Sequence, residues 1–261
     1  MAGPSDSGPS ANIAGSVIAA VERLRAPCPI GACDGSGWIV DADEVAHPCG
    51  CRERRVAQAR SRGVNQTLPP RYRSVSFDAP PVSEMARAAP SRAVVAEIRA
   101  YVDNLDANLS EGRGLWLTGD VGTGKTTLAM LVSRHALEAG RTVAIYSLPR
   151  LLARIRRTYD ADSRDDSYLT FFERLTAVDL LHIDDLGAEK QSDWVLEQLY
   201  AIVDERYETR RSLIVTTNLP VQRLEAQIGE RTVSRLTEMC EQLPLFDELD
   251  HRTRRPDRLR P

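Results

Sequence analysis

The segment Gly119-Asp120-Val121-Gly122-Thr123-Gly124-Lys125-Thr126 follows the pattern G-x-x-x-x-G-K-[ST] without a departure. Residues of these types at this spacing can hold a phosphate chain. The glycines let the backbone curl so that successive N–H groups face one anion, and a helix starting near Lys125 adds the partial positive charge of its N-terminus. The flanks are the required ones, with the apolar strand LWLT before the loop and the helical pattern TTLAMLVSRHALEA after it. Lysine is scarce in this chain, found only at positions 125 and 190, so one inside the motif stands out. Lys125 is expected to neutralise the β- and γ-phosphates of ATP and Thr126 to ligate Mg²⁺ through its hydroxyl. The backbone from Gly119 to Thr127 should cradle the phosphates.

A magnesium ion on that hydroxyl needs a carboxylate at the end of a neighbouring strand. DLLHID supplies two: Leu180, Leu181 and Ile183 bury the strand, and Asp184 and Asp185 emerge at its C-terminal end. Alone, two adjacent acids would read as a solvated strand end. Following a phosphate loop and closing an apolar strand, Asp184 is expected to hold the metal's water shell and Asp185 to polarise the attacking water. His182 falls on the other side of the strand and reads as a packed core residue.

A second cluster lies far upstream. Cys28, Cys33, Cys49 and Cys51 account for four of the five cysteines. With no export signal ahead of them, they suggest metal more than disulfides. Four thiolates suit a tetrahedral structural Zn²⁺, and His47 could replace one of them. Gly31, Gly35, Gly37 and Gly50 permit tight turns around such an ion, and a region with few large apolar residues needs the staple. Cys240 stands apart and reads as a buried thiol.

These sites need elements to position them. At 261 residues and 42% hydrophobic, the chain has room for one α/β domain and a small appendage. A net charge of −3 excludes wholesale nucleic-acid coating, so any DNA contact must come from local basic patches. Arg150, Arg154, Arg156 and Arg157 form one candidate, balanced by the plain reading of a solvated helix face. The arginines of RERRVAQARSRG form another, or contact an acidic protein surface, or lie free. No apolar run is long enough to cross a bilayer, and MAGPSDSGPSAN lacks the regions of a signal peptide. The expectation is a cytoplasmic protein with a disordered leader over 1–12.

Ile13, Val17, Ile18, Val21 and Leu24 share one helical face. The run LPPRYRSVSFDAPP reads as a linker, which puts a domain boundary near residue 73: an N-terminal zinc-binding module over 1–72 and the main domain over 73–261. From residue 91 helices and strands alternate. SRAVVAEIRAYVDNL reads as helix and GLWLTG as strand, then a helix stopping at Gly140, strand TVAIYS and helix LPRLLARIRRTY. Helix TFFERL, strand DLLHID, a long helix capped by Ser192 and strand SLIVTT complete the series. This alternation predicts an α/β fold, a parallel sheet covered by helices on both faces.

From Pro69 to about Arg255 the chain resembles the AAA+ ATPases of the DnaC/DnaI helicase-loader and IstB transposition-helper group. The resemblance is carried by PPRYRSVSFD, GDVGTGKTTLA, LLHIDDLGAEK followed by DWVLEQLYAIVDERYE, IVTTNLP and ERTVSRLTEMC. It implies a P-loop AAA+ core without a C-terminal lid, preceded by a small helical zinc-binding domain that contacts a replicative hexameric helicase. Asn218 matches the sensor-1 position, which orients water near the γ-phosphate. Arg231 matches the arginine finger that reaches a neighbouring subunit's ATP, so the resemblance implies self-association through that face. Arg235, one turn on, would support it. The element between TVAIYS and DLLHID is the one that approaches single-stranded DNA in such proteins. Two departures stand out: Asp185 occupies a position where glutamate is common, and too little chain follows Cys240 for a lid. Arg252 would partly substitute for the lid's arginine.

The expected function is ATP-dependent loading of a replicative helicase onto single-stranded DNA. An IstB-like transposition helper is the alternative within the group. A nucleotide-gated adaptor with negligible hydrolysis is the alternative outside it. A zinc-dependent DNA-binding regulator would not need the P-loop, Asp184 and Arg231 together.

Overall fold

A computed structural model describes residues 28, 30–52, 64, 67–159 and 167–245. The expected leader over 1–12, the helical face of residues 13–24, the arginines of RERRVAQARSRG beyond Arg52, and Arg252 lie outside the described residues. The chain divides into two compact units, Met1–Val56 and Ala57–Pro261, earlier than the boundary expected near 73. Leu68 and Tyr72, with the 3₁₀ turn Pro70–Tyr72, pack on the core of the larger unit. The proline-punctuated run is therefore part of that unit.

The described part of the smaller unit is built on a hairpin where a helical domain was expected. Strands β1 (Trp38–Val40) and β2 (Ala46–Pro48) pair antiparallel, with Ile39 opposite His47. Asp41 closes the connection, its Oδ1 accepting the backbone N–H groups of Asp43 at 3.0 Å and Val45 at 2.9 Å. Such local bonds make aspartate a turn former.

The larger unit begins with helices α1 (Val82–Met85), α2 (Ala89–Asp103) and α3 (Leu105–Ser110). Strand β3 (Gly114–Gly119) then leads to helix α4 (Lys125–Glu138). Strand β4 (Val143–Ser147) and helices α5 (Leu148–Arg157) and α6 (Tyr168–Ala177) follow. Next come β5 (Leu180–Asp184), α7 (Asp193–Glu208), β6 (Ser212–Thr217), α8 (Val221–Ile228), α9 (Glu230–Met239) and β7 (Cys240–Leu245). Helix boundaries follow local chemistry. Ser192 caps α7 by accepting the Val195 N–H at 3.3 Å, and Ser167 does the same for α6 from Thr170 at 3.3 Å. Gly140 takes a φ of +73° just after α4, as a helix stop requires.

The five strands are all parallel, in the order β4-β5-β6-β3-β7. Side chains alternate across the sheet and split the apolar residues into two cores. Leu115, Leu117, Val143, Ile145 and Ile214 face α1 to α4. Trp116, Ala144, Tyr146, Leu213 and Val215 face α5 to α9. Both faces are thus covered, which is why these strands read as continuous apolar runs.

At the opposite end of the sheet from the phosphate loop sits Arg206 of α7, fully buried. Its guanidinium donates to the carbonyls of Thr176 at 3.0 Å, Val178 at 3.1 Å, Leu175 at 3.4 Å, Asp179 at 3.3 Å and Ser212. Burial, with Arg211 nearby, draws its pKa down to about 9, so the group stays charged at neutral pH.

Candidate nucleotide and metal sites

In a parallel sheet every strand leaves at the same edge, so residues following β3, β5 and β6 come together there. The sheet order makes β6 the neighbour of both others. The phosphate loop follows β3, Asp184 closes β5, and Asn218 follows β6.

Helix α4 starts at Lys125, as expected, and Gly119, Gly122 and Gly124 all take positive φ, +140°, +88° and +96°. Two of these glycines are doubly constrained. A Cβ at Gly119 would lie 1.8 Å from the Leu245 carbonyl oxygen of β7. A Cβ at Gly124 would lie 2.7 Å from Cε and 2.8 Å from Sδ of Met85, a fully buried residue of α1. Lys125 is 5% exposed, and its ammonium donates to the carbonyls of Gly119 at 2.8 Å and Asp120 at 2.5 Å, inside the curl of the loop. Thr123 hydrogen-bonds the Asp120 carbonyl at 3.0 Å, while Asp120 and Val121 are exposed at the loop's tip. Thr127 continues the first turn of α4.

The Thr126 hydroxyl donates to Oδ1 of Asp184 at 2.8 Å across 58 residues of chain. The same oxygen accepts the Thr216 hydroxyl at 2.7 Å. Hard oxygen donors gathered at the mouth of a phosphate loop fit Mg²⁺. Asp185 is exposed and has φ +59°, a left-handed conformation that short polar side chains tolerate best. Its N–H donates to Oγ1 of Thr216 at 3.0 Å. His182 is fully buried on the α4 side, with Nδ1 3.0 Å from the Ser133 hydroxyl. Burial pulls its pKa down to about 4, against the pull of Asp184, so it is neutral core, as its place on the strand suggested.

Asn218 is exposed immediately after β6. Arg231 is exposed in the first turn of α9 and lines an open groove of about 610 Å³ with Tyr200, Glu230, Ser234 and Glu238. Arg235 is also at this groove but is held from the other side. It pairs with Asp204 at 2.5 Å and Glu208 at 3.6 Å on α7, its guanidinium 4.6 Å from the Tyr207 ring centre. Its contacts tie α9 to α7. Among the arginines of α5, Arg154 and Arg156 lie over the rings of Phe171 and Trp194 at 5.4 and 4.6 Å. Arg150 and Arg157 are exposed, and beyond them Tyr159 stacks on Tyr168 with ring centres 5.2 Å apart.

In the smaller unit the sulfurs of Cys28, Cys33, Cys49 and Cys51 all lie within 4.8 Å of one another. Cys28 and Cys49 are 3.8 Å apart, Cys33 and Cys51 3.6 Å. A tetrahedral site with Zn–S bonds of about 2.3 Å has sulfur–sulfur edges of about 3.8 Å, so the cluster fits Zn²⁺. His47 is not part of it: its Nε2 meets Asp41 Oδ2 at 2.7 Å. Burial opposes ionisation of Cys28, but backbone N–H groups of Ile30, Cys33 and Ala32 outweigh it and bring its pKa to about 6. Burial and the three neighbouring thiols push Cys51 up to about 12. Cys240 is separate and buried, its thiol held protonated by burial and 3.5 Å from the Leu213 carbonyl.

The fold and the phosphate loop define a P-loop ATP-binding protein of the AAA+ class. A family model described as IstB-like ATP binding protein matches residues 86–253, and the chain belongs to that family. The replicative helicase loader DnaC of Buchnera aphidicola subsp. Baizongia pistaciae is 28% identical over 143 residues, 55% of this chain and 56% of that one. The crystal structure of the DnaC helicase loader is similar with a TM-score of 0.58 at 28% identity, over 68% of this chain and 99% of that one. The crystal structure of DnaI shares the fold, with a TM-score of 0.55 at 18% identity over 70% and 94%. The chain spans about half the length of the curated relatives it matches. No described helix is long and apolar enough to cross a membrane.

The loop, the two acids and the cysteines were legible beforehand. Thr216 and Arg206 were not: a threonine inside SLIVTT reads as a strand former, and an arginine inside DERYETRR reads as surface charge.

Proposed function

We propose that this chain is a cytoplasmic AAA+ ATPase that loads a replicative hexameric helicase onto single-stranded DNA and works as an oligomer. The observation that carries the ATP–Mg²⁺ part is the Thr126–Asp184 contact at the mouth of the phosphate loop. Thr126 and Asp184 would hold Mg²⁺, which when bound supplies charge neutralisation for the phosphates. The N–H groups from Gly119 to Thr127 bind the phosphates, and Lys125 leaves its loop carbonyls to meet the terminal ones. Asp185 and Asn218 orient the attacking water. Arg231, exposed beside its groove, serves the nucleotide of a second copy, which makes hydrolysis depend on assembly. Arg150 and Arg157, with the Tyr159–Tyr168 stack, supply the charge and aromatic surface that single-stranded DNA uses. Cys28, Cys33, Cys49 and Cys51 hold Zn²⁺ in a module that ends ahead of Leu68 and engages the helicase.

The family model's own description favours a second reading, a transposition helper of the IstB kind. One experiment separates the two. The Asp185→Asn variant with Mg²⁺–ATP is used as bait in native lysate, because blocking hydrolysis prolongs the nucleotide-bound state. Mass spectrometry should recover a hexameric helicase, and changing Cys49 and Cys51 to Ser should lose it. A transposase in its place would overturn the loader reading. Wild-type turnover that stays negligible with single-stranded DNA would leave a nucleotide-gated adaptor.

A further inference from the structure

We infer that Thr216 is a positioning residue whose single buried hydroxyl sets both acids of the nucleotide site. The inference rests on the ATP–Mg²⁺ reading of that site. Thr216 is fully buried in β6, the strand between the phosphate loop and the acids. A hydroxyl has one proton and two acceptor lone pairs, and this one uses both capacities. It donates to Oδ1 of Asp184 at 2.7 Å and accepts the N–H of Asp185 at 3.0 Å.

The first bond fixes a carboxylate. Oδ1 of Asp184 receives Thr216 from β6 and Thr126 from α4, so the carboxylate cannot swing without breaking one or both bonds. The second bond fixes a backbone. Asp185 has φ +59°, a conformation a non-glycine residue keeps only when its surroundings hold it there. Thr216 holds it twice, through the hydroxyl and through its own carbonyl, which accepts the next N–H, that of Leu186, at 2.7 Å. Thr217 adds a third tie from the opposite face of β6, its hydroxyl donating to the Leu186 carbonyl at 2.7 Å. The direction in which Asp185 presents its carboxylate is thus set from β6. That link matters more for a short aspartate than for a glutamate, because the aspartate has fewer rotatable bonds with which to correct a misplaced backbone.

The strand itself does not need this hydroxyl. Leu213, Ile214 and Val215 already supply the apolar contacts of β6, and valine would satisfy the β-branched preference at 216 equally well. The hydroxyl therefore serves the acids.

The test compares the full chain with Thr216→Val and Thr216→Ser. Three quantities are read: affinity for a fluorescent ATP analogue with and without Mg²⁺, single-turnover hydrolysis, and the thermal midpoint. Thr216→Val should keep the metal-free affinity and lower the midpoint by only a few degrees, the cost of two lost hydrogen bonds. It should lose roughly 10- to 100-fold in the Mg²⁺-dependent gain in affinity and in hydrolysis rate, the range expected for partners of metal-site residues. Thr216→Ser should restore most of both, because it keeps the hydroxyl and discards the methyl. The inference is overturned if the valine variant matches wild type, if serine fails as badly as valine, or if metal-free binding is lost together with the rest. If wild-type protein shows no Mg²⁺-dependent nucleotide binding, the ATP–Mg²⁺ reading itself fails, and that control is read before any variant is compared.

Discussion

At the scale of single residues, the phosphate loop shows two separate reasons for one glycine. Gly124 takes φ +96°, and the thioether of Met85 occupies the place a Cβ would need. Gly124→Ala should destabilise the protein by about 2 kcal/mol and weaken nucleotide binding. Met85→Ala costs stability of its own by leaving a cavity, but it also removes the collision, so the double variant should be less destabilised than the sum of the two single variants. A double-mutant cycle in urea reads the difference, and strict additivity would show that the Met85 contact carries no energy. The glycine pattern was legible because its spacing is dictated by the anion. Met85 was not, because a methionine 39 positions upstream carries no sign of its partner. The same holds for the cysteine cluster: spacing left His47 as an alternative member, and only the fold, which gathers the four sulfurs and turns His47 to Asp41, takes it out of the set.

Between elements, the sheet's two ends are organised by different means. The phosphate end is held by threonine hydroxyls and glycine turns. At the other end, the last turn of α6, the start of β5 and the start of β6 converge on the guanidinium of Arg206, which satisfies five of their carbonyls. Arg206→Met keeps much of the volume and strands those acceptors away from water. The expected loss is about 3 to 5 kcal/mol in chemical denaturation, well above the 0.5 kcal/mol typical of an exposed arginine. A loss near that surface value would mean that water reaches the carbonyls. Elements with strong periodicity were readable in advance, from α2 to β6. The order in which the strands pair was not, because each crossover fixes handedness and parallelism but not which neighbour a strand joins. Strand β7 also escaped, since Glu241, Gln242 and Pro244 interrupt its apolar pattern and only pairing with β3 makes it a strand.

For the molecule as a whole, the two compact units imply two separable stabilities. Among its described residues the small one has little apolar interior, and Ile30, Trp38, Val40 and Val45 are exposed in it. Its order should therefore depend on Zn²⁺. Strong chelation of the full chain should release about one zinc per chain and make Cys28, Cys33, Cys49 and Cys51 reactive to alkylation. The thermal transition of the larger unit should stay in place, and Cys240 should remain unlabelled until that unit unfolds. Native protein whose four upstream cysteines label freely and carry no metal would contradict the site.

Strand β7 has a further consequence. Among the described residues it forms one margin of the sheet, and a strand there offers unpaired backbone groups to any other chain. Pro244 has no N–H to offer, and Glu241 places charge where a foreign strand would have to settle. The border beside the phosphate loop is thus guarded against fibre-like growth. In the proposed assembly, copies would then meet through helical surfaces such as the one bearing Arg231, where contact can be made and released.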